Sequence, residues 1–558
     1  MAFVKKIWRG IWKGFLYLTG FFILLIIGLF IYLYSVARMQ PPKIADQRSL
    51  QWKRTQLDST AFTLKNNWFR KSRSGLYELY VEGKPFERGV VYGKLTQELV
   101  QRQEDHFTEQ IGKMIPSKSY QHFLKYFIGW FNRHLAENVP QEFKEEIYGV
   151  SFAASDKYDF IGTNYQRIMN YHAAHDIGHA LQSMALVGCT SFGTWNDRSA
   201  DSNLIIGRNF DFYVGDKFAE DKIIAFYKPD KGYRFMMVTW AGFTGVVSGM
   251  NDQGLTVTIN AAKTDMPSGS ATPVSLVARE ILQYAKNIQE AYDIAKKRKM
   301  FVSESFLIGS ALDNRAALIE KTPETLDLYD PRSNEISCAN HFQGKTLGAS
   351  EANKQQLAES ASPYRYARLQ ELLEQNGKNT VEKTVAILRD QKGLHGADIG
   401  MGNEKAINQL IAHHSIVFEP KKLKVWVSTA PWQLGAFVSY DLNKVFSMNG
   451  LQTDREIYDS ANIIPADTFL QTDEYRKFRD FRAWKAAFAE KRPVDVERMI
   501  ADNPQYYHAY VLAGDYCYKQ ENYRQAKTYY EQALTKEIAT KAEKDHVIKR
   551  IAQCEEEL

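Results

Sequence analysis

The chain has little cysteine: four residues in 558, Cys189, Cys338, Cys517 and Cys554. None stand at paired spacing and no CxxC occurs. That excludes a disulfide framework and a cysteine-based zinc site. The chain also lacks a dominant charge. A formal net charge of +6 is small for this size, and Lys and Arg are spread along the chain rather than clustered. No nucleic-acid partner is implied. No lipobox-like cysteine follows the apolar N-terminal run, and "GLHG" around Gly393 and Gly396 is too short for a phosphate loop. No Cys–His pair is evident either. The histidines nearest Cys189 in sequence, His172, His175 and His179, share one helix face, and no acidic residue completes a metal site with them. Packing or pocket lining is their expected role, and His413 and His414 read as structural. No cofactor and no metal is expected.

What is present is a globular composition, 44% apolar and 24% charged, on a chain long enough for two or three domains. Residues 14–37, GFLYLTGFFILLIIGLFIYLYSVA, carry no charge over 24 positions. Roughly twenty apolar residues suffice to span a bilayer. Lys5, Lys6, Arg9 and Lys13 precede the run, and Arg38 and Lys43 follow it. The bias predicts one uncleaved transmembrane anchor, with the N-terminus cytoplasmic and the bulk of the chain extracytoplasmic. The run exceeds the apolar core of a cleaved signal peptide, roughly 7 to 15 residues.

Beyond the anchor (1–37), residues 38–74 read as a juxtamembrane tether. A helix-rich part, 75–188, opens with the strand-like "GLYELYVEG". From 189 to 449 short runs rich in Ile, Val, Phe and Tyr alternate with Gly, Pro and Asn turns, interrupted by helical blocks such as "PVSLVAREILQYAKNIQEAYDIAKK". Strands and helices in blocks predict a layered α+β domain with antiparallel sheets. Residues 450–505 read as a mostly helical connector. In 506–558, Tyr510, Ala513, Gly514, Ala526, Tyr530 and Ala533 stand where a tetratricopeptide repeat places its packing residues. A single repeat cannot bury its own apolar face. It either packs on the main domain or docks a protein partner.

"VGCTSFG" places Cys189 after a glycine at the start of a strand-like block, with Arg208 and Asp211 following in "GRNFDF". A thiol is a strong nucleophile only as thiolate, and a nearby guanidinium lowers its pKa. Composition alone does not say that these three residues meet.

From Tyr77 to Leu442 the chain resembles the cysteine Ntn-hydrolases, specifically the penicillin acyltransferase-like branch (peptidase family C45). It is more distantly similar to choloylglycine and penicillin V amidohydrolases. The resemblance rests on six ordered motifs: "EGKPFERGVVYG", "GCTSF", "GRNFD", "GMNDQGLTVTIN", "ANHF" and "SPYRYARL". It implies a four-layer αββα sandwich and self-cleavage of the Gly188–Cys189 bond. The freed α-amine of Cys189, with an ordinary pKa of about 7.7 to 8.0, then serves as local base, so no histidine is required. The resemblance assigns Cys189 as nucleophile and Arg208 and Asp211 as its orienting groups. Asn260 and Asn340 become oxyanion donors, and Arg365, with Arg368 as the other candidate, a supporting arginine. The implied activity is amide hydrolysis or acyl transfer on a linear, nonpeptide, N-acyl or lipid-like small molecule. A noncatalytic tethered scaffold, and a chain whose only reaction is its own cleavage, are the competing readings.

Overall fold

The computed structural model describes residues 2–36, 38–115, 117–181, 188–213, 215–263 and 269–558. The segment before Gly188, residues 182–187, lies outside the described residues, as do the side chains of His175 and His179.

Eighteen strands form two sheets among the described residues. In chain order, the strands of the larger sheet are β1 (Thr55–Gln56), β2 (Ala61–Leu64), β3 (Asn67–Lys71), β4 (Tyr77–Gly83), β7 (Ile223–Pro229), β8 (Phe235–Thr239), β9 (Ser248–Asn251), β10 (Leu255–Ala261), β11 (Glu304–Ser310), β12 (Arg315–Lys321) and β13 (Leu326–Tyr329), and they lie side by side in that order. The smaller sheet contains β5 (Thr190–Thr194), β6 (Ile205–Phe210), β14 (Glu335–Cys338), β15 (His414–Glu419), β16 (Lys424–Ser428), β17 (Phe437–Asp441) and β18 (Asp459–Ile464), in the spatial order β14-β5-β6-β15-β16-β17-β18. Strict alternation of side chains across each strand sends Ile206, Ile224, Met236, Leu307, Ile416 and Val427 into one core between the sheets. The outer face of the larger sheet is covered by helices including Pro85–Leu95 and Val274–Tyr284. The outer face of the smaller sheet carries Ser362–Asn376 and Val381–Leu388. The whole is a mixed α/β sandwich of two large sheets.

Three features depart from the expectations. The sheets are not wholly antiparallel: β4 and β7 pair in parallel, from Tyr77 opposite Ile223 to Gly83 opposite Pro229. The helices between these strands supply the crossover that parallel pairing requires. Residues 55–71, within the segment read as a tether, form three strands at the edge of the larger sheet, with Trp68 and Phe69 buried. Within 450–505, read as mostly helical, β18 extends the smaller sheet.

The motif "KPFERGVVYG" becomes the helix Pro85–Leu95, with Pro in its first turn, where the missing N–H is harmless. It crosses the helix Gln141–Ser151 at very close range. A Cβ on Gly89 would fall 1.9 Å from the Glu146 carbonyl oxygen, and one on Gly149 would fall 2.5 Å from that of Phe86. Arg88 donates to Glu146 Oε2 at 2.5 and 3.0 Å, and Arg279 adds a bond at 3.2 Å. All three side chains are buried.

One helix is long and apolar enough to cross a membrane among the described residues: Gly10–Ser35, with mean hydropathy 2.5 and none of its most apolar stretch buried. At the other end, five helices from Asp473 to Glu556 build a separate core around Phe481, Tyr506, Ala509 and Tyr530. The residues read as repeat positions, Tyr510, Ala513, Gly514, Ala526, Tyr530 and Ala533, are all buried where Tyr507–Lys519 meets Tyr523–Leu534.

Candidate active site

Cys189 sits just before β5, and its side chain lies on the inner face of the smaller sheet at 1% exposure. Antiparallel pairing of β5 with β6 sets Ser191 opposite Arg208 and Thr190 opposite Asn209. The backbone N–H of Gly188 extends that ladder to the Asp211 carbonyl at 2.9 Å. The strand pair therefore brings the "GCT" and "GRNFD" motifs together.

Arg208 Nη2 lies 3.5 Å from Cys189 Sγ and donates to the Ile259 carbonyl at 2.6 Å. Nη1 donates to Ser248 Oγ at 2.5 Å, and the guanidinium carbon lies 4.2 Å from the centre of the Phe210 ring. Arg208 thus reaches from the smaller sheet to the larger one. Burial pushes the Cys189 thiol up to about 11, against the pull of Arg208 and Arg365, while Asp211 and Glu304 push it further up. In the intact chain the sulfur is a protonated thiol at neutral pH. Burial also raises Asp211, to about 7, opposed by Arg365 and Arg208. Its Oδ2 accepts a long bond from Gln409 Nε2 at 3.5 Å, and Oδ1 has no hydrogen-bond partner among the described residues.

Asn260 and Asn340 are close by and engaged. Ser191 Oγ donates to Asn260 Oδ1 at 2.9 Å, and Asn260 Nδ2 donates to the Ala339 carbonyl at 3.1 Å. Asn340 Nδ2 donates to the Ala261 carbonyl at 2.9 Å, and its Oδ1 accepts from Arg365 Nη2 at 2.5 Å. An amide nitrogen carries two N–H groups, so Asn340 keeps one unassigned. Arg365 joins the cluster directly. Arg368 turns away, with Nε and Nη2 on Asp390 at 2.9 and 3.0 Å and Nη1 on Glu371 at 2.9 Å.

Sequence reasoning missed three residues here. Gln409 Nε2 donates to the Gly188 carbonyl at 3.0 Å, across 221 residues of chain. A Cβ on Gly188 would fall 2.5 Å from that nitrogen, so the glycine leaves room for the contact. Glu304 is buried, with neither oxygen hydrogen-bonded among the described residues, and its carboxyl interacts with Cys189, Arg208 and Asp176. Ser248 anchors Arg208. None of these residues stands in a motif that signals chemistry.

The remaining candidates separate from the cluster. His172 donates from Nδ1 to the Ile168 carbonyl at 2.8 Å, and its Nε2 accepts the Thr244 N–H at 2.9 Å. It is a satisfied, neutral core residue. Glu404, His508 and Glu543 bring potential ligand atoms within 4.8 Å of one another at the junction with the C-terminal helices. The two carboxylates already accept the hydroxyls of Tyr506 and Tyr507, which does not point to a metal ion. The Glu404 carbonyl accepts Arg365 Nη1 at 2.7 Å.

A narrow apolar cleft is lined among others by Val100, Phe107, Tyr171, Phe212, Phe218 and Trp240. Phe212 follows Asp211 in the chain and stacks on Phe210 at 5.7 Å.

Residues 197–431 match the family model described as acyl-coenzyme A:6-aminopenicillanic acid acyl-transferase. The match and the two-sheet sandwich agree with an Ntn-hydrolase-like core. The matched stretch begins eight residues after Cys189. An uncharacterised protein of Archaeoglobus fulgidus is 25% identical over 405 residues, covering 64% of this chain and 65% of its own. Protein dcd1B of Dictyostelium discoideum is 22% identical over 271 residues, covering 45% and 51% respectively. The chain spans between half and two-thirds of the length of these curated relatives. Among solved structures, a Caenorhabditis elegans N-acylethanolamine-hydrolyzing acid amidase ortholog is 17% identical, with TM-score 0.31, over 42% of this chain and 93% of its own. A conjugated bile acid hydrolase from Clostridium perfringens is 13% identical, with TM-score 0.30, over 49% and 95%.

Proposed function

We propose that this protein is a membrane-anchored amidohydrolase or acyltransferase of the four-layer αββα Ntn type, with Cys189 as its nucleophile after self-cleavage at Gly188–Cys189. The observation that carries this reading is the double hold on one peptide bond. Arg208 lies against the sulfur that would attack, and Gln409 lies on the carbonyl that would be attacked.

In the maturation step the Cys189 sulfur adds to the Gly188 carbonyl carbon while Gln409 holds the oxygen. Asp211, which titrates near neutrality, takes the thiol proton and returns it to the Cys189 nitrogen as the C–N bond breaks. Water then hydrolyses the resulting thioester. The products are a Gly188 carboxylate and a Cys189 with free thiol and α-amine. In turnover the α-amine accepts the thiol proton, the sulfur attacks the substrate amide, and that proton leaves with the departing amine. Water or a second amine resolves the acyl-thioester, which is the only difference between hydrolysis and transfer. Asn260 and Asn340, with backbone N–H groups, are the proposed oxyanion donors, and Arg365 fixes the Asn340 amide.

The proposed substrate is a nonpeptide N-acyl amide whose apolar chain occupies the cleft beside Phe212 and Trp240. The proposed orientation has the N-terminus in the cytoplasm and the catalytic part outside, which the excess of Lys and Arg before the apolar run supports, and the C-terminal helices are proposed to be TPR-like. Intact mass and N-terminal sequence of the purified full chain, beside Cys189→Ala, test the reading. A fragment beginning at Cys189 in the parent and absent from the variant supports it. An uncut parent chain that also resists acylation by N-acyl substrate analogues overturns it.

A further inference from the structure

A buried polar chain leads away from the candidate nucleophile. Arg208 bridges Cys189 Sγ and Ser248 Oγ, at 3.5 and 2.5 Å. Ser248 Oγ lies 2.8 Å from His414 Nε2, and His414 Nδ1 lies 2.9 Å from His413 Nδ1. Every side chain in this series is buried.

Counting donors and acceptors orders the chain. A guanidinium only donates, so Ser248 Oγ accepts from Arg208. Among the described residues, the Ser248 hydroxyl hydrogen has one acceptor in reach, His414 Nε2. His414 then carries its hydrogen on Nδ1 and gives it to His413 Nδ1. The hydrogen of His413 is left on Nε2, which has no hydrogen-bond partner among the described residues. That ring is enclosed by Phe218, Trp240 and Phe210, with centroids 4.9, 5.4 and 6.3 Å away. The positive groups facing the two imidazoles are Lys222 and Arg208, and burial together with these charges keeps both rings neutral. The charged groups facing the thiol are Arg208, Asp211, Glu304 and Arg365.

We infer that Ser248 and His414 are positioning residues that clamp the Arg208 guanidinium against the Cys189 sulfur, with His413 fixing the tautomer of His414. A neutral imidazole that accepts at Nε2 holds the serine hydroxyl in the one orientation that leaves its lone pair facing Arg208. Without this hold Nη1 loses its anchor, and the fork can swing from the sulfur toward the Ile259 carbonyl alone. The inference takes its catalytic meaning from the proposed role of Cys189, but its test reads only the thiol.

The test is the pH dependence of iodoacetamide alkylation at Cys189 in the full-length chain, followed by the mass of the peptide that contains it. Ser248→Ala and His414→Leu are expected to move the alkylation midpoint upward by about one pH unit, a tenfold loss of thiolate at a given pH. Ser248→Thr and His414→Gln, which restore the hydroxyl and the acceptor, are expected to bring it back toward the parent value. An unchanged midpoint in the first pair, or equal displacement in both pairs, overturns the inference. Where a variant does not fold, or the thiol resists alkylation at every pH, histidine ¹⁵N spectra of the parent chain decide. The expected result is a neutral Nδ1–H tautomer at His414 and an Nε2–H tautomer at His413, with His414→Gln giving the assignment. A charged ring or the opposite tautomer at His414 overturns the inference. Neither measurement reads self-cleavage or amide turnover, so the clamp and the proposed activity fail separately.

Discussion

The side-chain amide of Gln409 lies 3.0 Å from the carbonyl oxygen of Gly188, the residue whose bond to Cys189 is the proposed point of cleavage. A donor on that oxygen stabilises the charge that develops when sulfur adds to the carbonyl carbon. Removing one such donor costs about 10²–10³ in rate. Gln409→Ala is therefore expected to slow appearance of the Cys189-initiated fragment by about that factor, while Gln409→Asn leaves an intermediate rate. A time course by intact mass measures this. Cleavage at the parental rate in Gln409→Ala would remove Gln409 from the mechanism.

Asp211 makes stability depend on pH. Its carboxyl titrates near 7 in the fold, against 3.8 ordinarily, because it is buried. The fold thus favours the protonated form. That contribution is complete below about pH 4 and is lost as the pH rises through about 7. The size is on the order of 1.4 kcal/mol for each pH unit between the two values. Asp211→Asn is expected to lose less stability than the parent between pH 4.5 and 8, measured by urea midpoints. Identical losses in the two proteins would contradict the assignment.

Gly89 faces the Glu146 backbone at a distance no methyl group can share. In an exposed helix interior, Gly→Ala is worth about 0.5–1 kcal/mol of stabilisation. Here the sign is expected to invert, with a loss of about 1–3 kcal/mol or more from overpacking. Thermal unfolding of Gly89→Ala measures it, and a variant as stable as the parent would show that the two helices separate at little cost.

Cleavage at Gly188–Cys189 would divide the chain but not the larger sheet. The parallel pair β4–β7 joins a strand from before the cut to one from after it. After cleavage the catalytic fragment is expected to stay with the anchored fragment through salt and carbonate washes and to leave it only in denaturant. Fractionation of membranes followed by mass analysis checks this, and a freely soluble Cys189-initiated fragment would contradict it.

How much of this was legible in the sequence depends on how local each signal is. Cys189, Arg208 and Asp211 lie within one strand pair, and "GCTSF" and "GRNFD" announce them. Arg365 and Arg368 share one helix one turn apart, and only the fold separates the arginine bonded to Asn340 from the one bonded to Asp390. Gln409 and Ser248 were invisible because neither stands in a motif and each acquires its role from a partner far away in the chain. The strands of 55–71 were hidden for another reason: polar and charged residues interrupt them, and only their pairing with β4 buries Trp68 and Phe69 on opposite faces of β3. His413 and His414 looked structural, and in one sense they are, since what they structure is the hydrogen bonding of Arg208.

The Glu404 link gives the C-terminal helices a reach beyond their own core. The carbonyl of Glu404 holds Arg365, while its carboxylate accepts the hydroxyl of Tyr506. Arg365 in turn holds Asn340. A chain ending near residue 449 would keep the carbonyl that holds Arg365 and lose the hydroxyl that holds the side chain of the same glutamate. One residue, Glu404, thus has its side chain on the C-terminal core and its backbone on the arginine of the candidate site.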